Sequence, residues 1–483
     1  MIDDNKLIKT IFAEAVEMTI RLETYLYSSF SNLEGRSAKI LENYYLNGTI
    51  KVLKEKLEKN WRYYKIKTNS NNSLSSNATN RLFKGIYNVF SNLKWANMRI
   101  DFLKNISIRP EIYLLQNDII KCFKGNFLNF NISLKNEYNY EECLEDLNQT
   151  ISGENIENST IILLFIPQIE INNPLMWTHL AHEITHAYEE LNNILKEIRR
   201  EFGKEIEGIH QERLFEYWGR EILADVVGLR LFDLGYYISF ILFSIRAGDM
   251  ITKCENHPPH LERIEIMKDL LYKEFRDIRE FPNIKNIIDD YRDIAKRYAD
   301  LEKTNVNIHQ HYIRNEVNPE ERRNIENAME KLIENGILKK ISEIGNIKLG
   351  NFIKCIFIKD FNKLNKLKTE LKNGFIISSS RKDLNSSIFD KIDNIRTNQE
   401  VYDLFNYIRE EPNSVFEIIN AGWLYRTENH LGNFENYFIN NESFEKGYND
   451  YKNHILKYDD ILLKSIENSE LHRFFIELGD LGG

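Results

Sequence analysis

Residues Pro174–Glu190 read PLMWTHLAHEITHAYEE, and three of the chain's eleven histidines fall in this stretch. Asn173-Pro174 supplies an N-cap and a proline for the first helical position, so the reading starts a helix there. Within it, His182-Glu183-Ile184-Thr185-His186 forms an HExxH. On a helix, residues four apart share a face, so both imidazoles can reach one ion. Glu183 lies one step round, where it can meet a water held between them. Catalytic zinc takes three protein ligands and keeps one position for water. The competing reading is an amphipathic helix that happens to carry histidines. His179 shares the face of His182 and His186, and reads as a cleft residue or as packing one turn away.

The third ligand separates the two readings. Glu221-Ile222-Leu223-Ala224-Asp225 lies in a second helical stretch, read from Arg213 to Phe232. Glu221 and Asp225 are four apart and face the same way. Their neighbours Ile222, Leu223, Val226 and Val227 are apolar, and a buried helix carries two unpartnered carboxylates only at high cost. A ligand carboxylate with a second one behind it, orienting a ligating histidine, is the expected pair. His210 and Glu216 are rival ligands without these surroundings. Tyr188 and Tyr217 are usable phenols that nothing picks out. His309 and His311 form an HxH that could bind metal in a strand, though a solvated loop is the plainer reading.

A third stretch, His257-Pro258-Pro259-His260-Leu261-Glu262-Arg263-Ile264, opens another helix. The ordered set HExxH, ExxAD and HP with an arginine six residues later resembles the gluzincin metallopeptidases. It is most similar to the M48-like group of CAAX prenyl proteases and HtpX-type proteases. The resemblance spans residues 161–267. It implies zinc on His182, His186 and Glu221, Glu183 as general base, and Asp225 behind the ligands. It also implies His257 and Arg263 near the substrate carbonyl, with His260 an alternative to His257. The group's membrane helices and its Asn-Ala motif are absent, which points to a soluble, divergent relative.

Working outward, Ile161–Pro167, IILLFIP, reads as a buried strand ended by proline. EIYLL at Glu111–Leu115 and FLNFNISL at 127–134 also have strand character. Thr68–Asn80, TNSNNSLSSNATN, reads as an exposed loop. Tyr236–Ile245, YYISFILFSI, is too short to span a bilayer and reads as a buried helical segment. Asn318-Pro319 opens a helix that carries Ile325, Met329, Leu332 and Ile333 at helical spacing and is capped at Gly336. IKCIFI from Ile353 and GFIISSS from Gly374 read as short strands or turns, and the chain from Val401 onward as mostly helix.

Only eight prolines in 483 residues, with abundant Lys, Glu, Leu and Ile, favour helix. The fold expected is mainly α with a small β-sheet (α+β), a zincin-like metallopeptidase core with helical additions. The division expected is residues 1–95 as an N-terminal helical region, 96–300 as the core and 301–483 as a C-terminal helical region. The net charge of −9 argues against nucleic acid as a partner. It makes ordinary helix faces of the lysine- and aromatic-containing stretches Trp61–Lys67 and Lys84–Trp95. Four scattered cysteines with no CxxC suit a reducing compartment. With no signal peptide or membrane span, a cytoplasmic protein is expected. The function expected is a zinc endopeptidase acting on a cytosolic protein. Its flanks suggest latency, a regulatory partner or a trigger, as in a bacterial stress, toxin or phage-defence effector. The alternatives are a scaffold with a structural or degenerate metal site, and a zinc hydrolase of non-peptide substrates.

Overall fold

A computed structural model provides the fold. It describes residues 3–30, 39, 42–70, 73–100, 108–124, 129–135, 137–143, 161–206, 208–274, 282–305, 319–353, 361–373, 413–439, 441 and 443–481. His309, His311, the 374–380 segment and all but the first residue of IKCIFI lie outside these.

The described chain is mostly helical around one small sheet. Helix α1 (Asp4–Phe30) is followed by a π-helical turn at Glu42–Ile50, α2 (Lys51–Ser70), α3 (Ser76–Arg99) and α4 (Pro110–Cys122). Strands β1 (Asn129–Lys135), β2 (Asn139–Cys143) and β3 (Ile161–Pro167) form the sheet in the order β1-β3-β2. β3 runs parallel to β1 and antiparallel to β2. Being central explains its unbroken apolar run: Ile162, Leu164 and Ile166 are fully buried and Phe165 nearly so.

Two expectations for this region are corrected. EIYLL forms no strand but the first turns of α4, because Pro110 takes the helix start, where a missing N–H costs nothing. TNSNNSLSSNATN is only in part a loop. Its first residues end α2, and Ser75 caps α3 by accepting from the Ala78 amide.

After Pro167 the chain makes two 3₁₀ turns, Gln168–Glu170 and Pro174–Thr178, and enters α5 (His179–Asn192). The proline start at Pro174 holds, but the first turn is 3₁₀ and Asn173 makes no side-chain cap. Its amide donates to Glu170 instead. Asn193, in the left-handed region at φ 52°, ends α5 and leads into α6 (Ile194–Arg199). Helix α7 (Ile209–Ala247) starts before Arg213 and runs on past Phe232, broken at Asp233, where φ is 42° and ψ −122°. It is long and apolar enough to cross a membrane, yet 94% of its most apolar window is buried inside the protein. α8 (His260–Glu274), α9 (Pro282–Asn305), α10 (Pro319–Glu334), α11 (Ile337–Leu349), α12 (Phe361–Lys372), α13 (Val415–Ile439) and α14 (Phe444–Leu481) complete the fold. Gly336, at φ 63°, follows α10 as expected.

α7 is the central post. α5, α8, α9, α10, α11 and α13 all pack on it, and α5 also touches β2 and β3. One hydrophobic cluster runs from Leu7 through the sheet and α7 to Ile466. α1 is buried on its charged side too. Glu14 and Glu17 are fully buried because Arg246 of α7 and Arg426 of α13 donate to them, and Arg21 bridges Glu17 to Asp459 of α14. A buried ion network of this kind tolerates no missing partner, so it ties both ends of the chain to the post.

Candidate metal centre

α5 and α7 cross with their polar positions facing. His182 and His186 lie four apart on α5, and Glu221 and Asp225 four apart on α7, so the two pairs meet. His182 Nε2 stands 3.3 Å from Glu221 Oε2, and His186 Nε2 stands 3.3 Å from Glu221 Oε1. The two Nε2 atoms are 3.0 Å apart. These three buried residues each offer one ligand atom and could hold a metal ion. At bond lengths of about 2.0–2.1 Å, ligands on neighbouring corners of a tetrahedron stand about 3.3–3.4 Å apart. The observed separations of 3.0–3.3 Å are close to that spacing, so one ion could reach all three residues.

Charge supports the same reading. Glu183, Glu221 and Asp225 set three carboxylates against one guanidinium, that of Arg263. Burial alone would raise the pKa of Glu221, but His257, Arg263 and His186 outweigh it and hold this carboxyl well below its usual range. Burial opposes protonation of His182, yet the carboxylates of Asp225 and Glu221 hold its pKa at about 9. Asp225 is likewise pushed down, against its own burial, by Arg263 and His182.

Glu183 is half-buried on the HExxH face, and burial raises its carboxyl pKa. His257 reaches Glu221 Oε1 through Nδ1 at 3.1 Å, and its side chain stays 53% exposed at the open side of the cluster. The Glu221 charge raises its pKa. Arg263 is 3% exposed and pairs with Glu221 and Asp225. Its Nε and Nη2 donate to Asp225 at 2.7 Å each, and Nη1 stands 2.9 Å from Glu221 Oε2. With all three nitrogens engaged by the two carboxylates, it positions them.

His179 is buried one turn before His182, its ring against Tyr138, Tyr236 and Phe243. His260 packs on Phe240 and Phe243. Burial pushes the pKa of each down to about 3, so both rings are neutral. Neither belongs to the ligand group. His210 and Glu216, on the first turns of α7, also stand outside it.

Tyr236 was not picked out by its sequence. It is fully buried, and its hydroxyl donates to Asp225 Oδ1 at 2.7 Å and lies 3.0 Å from His182 Nδ1. The trace is indirect: Gly228 and Gly235 interrupt a largely apolar helical run, which signals close approach of other groups. No protein-family model, curated protein or solved structure matches this chain, so its chemistry is read from this geometry.

Proposed function

We propose that the chain is a zinc-dependent endopeptidase with a zincin-like core, a soluble relative of the gluzincins that cleaves a cytoplasmic protein or peptide. The observation that carries this reading is Glu183. A structural ion site has no use for a further half-buried carboxylate beside two imidazoles and a ligand glutamate. His182, His186 and Glu221 would hold the ion. Bound zinc polarises a carbonyl and acidifies water.

The chain's own residues supply the rest. Glu183 takes a proton from the attacking water and returns it to the leaving amine, a role that its raised pKa suits. His257, exposed and made more basic by Glu221, is the group available to a developing oxyanion. Asp225 and Arg263 keep Glu221 and His182 in place. Among the described residues β2 is an edge strand in contact with α5, where an extended peptide would add as a further strand. The helical flanks, bound to α7 by the buried ion network, would restrict which substrates reach the site.

The test compares wild type with Glu183→Gln. Metal content comes from elemental mass spectrometry, and cleavage from labelling new N-termini in a native proteome. Both proteins should carry one zinc, and cleavage should fall by about 10²–10⁴-fold in the variant. Undiminished cleavage by the variant, or wild-type protein without zinc, refutes the proposal.

A further inference from the structure

Tyr236 and Asp225 lie 11 residues apart on the same helix, α7. In an unbroken helix they would be about 16 Å apart along the axis. They meet because α7 breaks at Asp233 and turns the chain back on itself. Two glycines make the turn fit. A Cβ on Gly228 would stand 2.6 Å from the Tyr236 ring, so no larger residue leaves the ring its place. The Gly235 amide, just past the break, donates to Asn420 Oδ1 of α13 at 3.0 Å. A Cβ on Gly235 would stand 2.7 Å from that same oxygen.

The consequence is a three-part chain of contacts behind His182. The Tyr236 hydroxyl lies 3.0 Å from His182 Nδ1, closer than Asp225 Oδ1 at 3.3 Å. It passes its own proton towards Asp225 Oδ1 at 2.7 Å. Asp225 in turn accepts two hydrogen bonds from Arg263. We infer that Tyr236 is a positioning residue for the metal ligand His182: its hydroxyl accepts from Nδ1–H and relays the alignment to the Asp225–Arg263 pair.

With Nε2 committed to an ion, the proton of a neutral imidazole sits on Nδ1 and needs an acceptor there. A phenol oxygen serves as that acceptor without adding a second full negative charge next to the ligand. Asp225, already neutralised by Arg263, acts on the phenol. Partners behind a metal ligand typically govern metal affinity by 10–100-fold. Because Asn420 holds the Gly235 end of the turn, helix α13 becomes part of the support of the site. The inference rests on the metal-site reading above, and its test keeps the two separable.

The experiment measures Zn²⁺ affinity by competition with a chromophoric chelator, together with the visible spectrum of the Co²⁺-loaded protein, for the full chain. Wild type, Tyr236→Phe and Gly228→Ala are compared. Tyr236→Phe keeps the ring and removes only the hydroxyl. Gly228→Ala keeps the hydroxyl and displaces the ring. Both should bind Zn²⁺ about 10–100-fold more weakly than wild type and give an altered Co²⁺ spectrum. The thermal midpoint of metal-free Tyr236→Phe should stay close to that of wild type. Wild-type affinity and spectrum in Tyr236→Phe overturn the inference and leave the metal site standing; wild type that binds neither ion overturns both. If Tyr236→Phe fails to fold, Gly228→Ala alone decides, with wild-type affinity and spectrum counting against the inference.

Discussion

Replacing Arg263 by methionine tests the electrostatics of the centre most directly. The residue is 3% exposed, and its guanidinium pairs with both Asp225 and Glu221. Methionine fills a similar length without charge, so the variant leaves two buried carboxylates facing each other. Breaking a buried pair by removing one partner costs about 3–5 kcal/mol. The chain has 483 residues, and an unfolding entropy of about 2.1 cal/mol/K per residue gives about 1 kcal/mol per degree. The thermal midpoint of the metal-free variant should therefore fall by about 3–5 °C. The assay is differential scanning calorimetry after exhaustive chelation, repeated with saturating Zn²⁺. Added Zn²⁺ should narrow the gap, because it restores positive charge beside Glu221. A metal-free variant that melts at the wild-type temperature would refute the claim that Arg263 compensates the two acids. So would a gap that widens when Zn²⁺ is added.

Two buried titrating groups give predictions of opposite sign. His179 stays neutral down to about pH 3 in the folded protein, whereas an unfolded histidine gains its proton near pH 6.5. Its burial therefore leaves stability intact above pH 6.5 and removes it as pH falls, by about 1.4 kcal/mol per pH unit. His179→Phe should flatten the decline of the urea midpoint between pH 6 and pH 4; an unchanged slope would count against this. Glu302 on α9 is fully buried and accepts the Met250 amide at 3.1 Å. Burial and Asp249 lift its pKa to about 7, above the unfolded value of 4.5. Its share of stability is thus complete below pH 4.5 and lost as pH rises through 7. Glu302→Gln keeps the acceptor and should stabilise the protein by about 2–3 kcal/mol at pH 8 and hardly at all at pH 4.5. Equal effects at both pH values would refute the assignment.

Much of the centre was legible in the chain because helical spacing is a local property. His182 and His186, and likewise Glu221 and Asp225, stand four apart, and that alone puts each pair on one face. Apolar neighbours announced that the second pair would be buried. IILLFIP announced a buried strand because a strand covered on both sides can be apolar throughout; its central place came from the structure. EIYLL misled because a five-residue stretch with four apolar or aromatic residues carries no period long enough to tell a buried strand from a helix. Pro110 decided between them.

By itself, then, the sequence determined the candidate ligands, the helix that bears each, and a mainly α fold with one small sheet. Tertiary structure alone decided what the supporting residues do. Arg263 lies six residues from His257 in the chain, yet it turns inward to Asp225 and Glu221 while His257 stays at the open side. Tyr236 joins His182 only through a break at Asp233, room at Gly228 and a hydrogen bond from Gly235 to Asn420, far along the chain. The physical reason is common to both. A ligand pair is specified within one turn of helix, but its support depends on where helices cross and bend, and distant packing sets that.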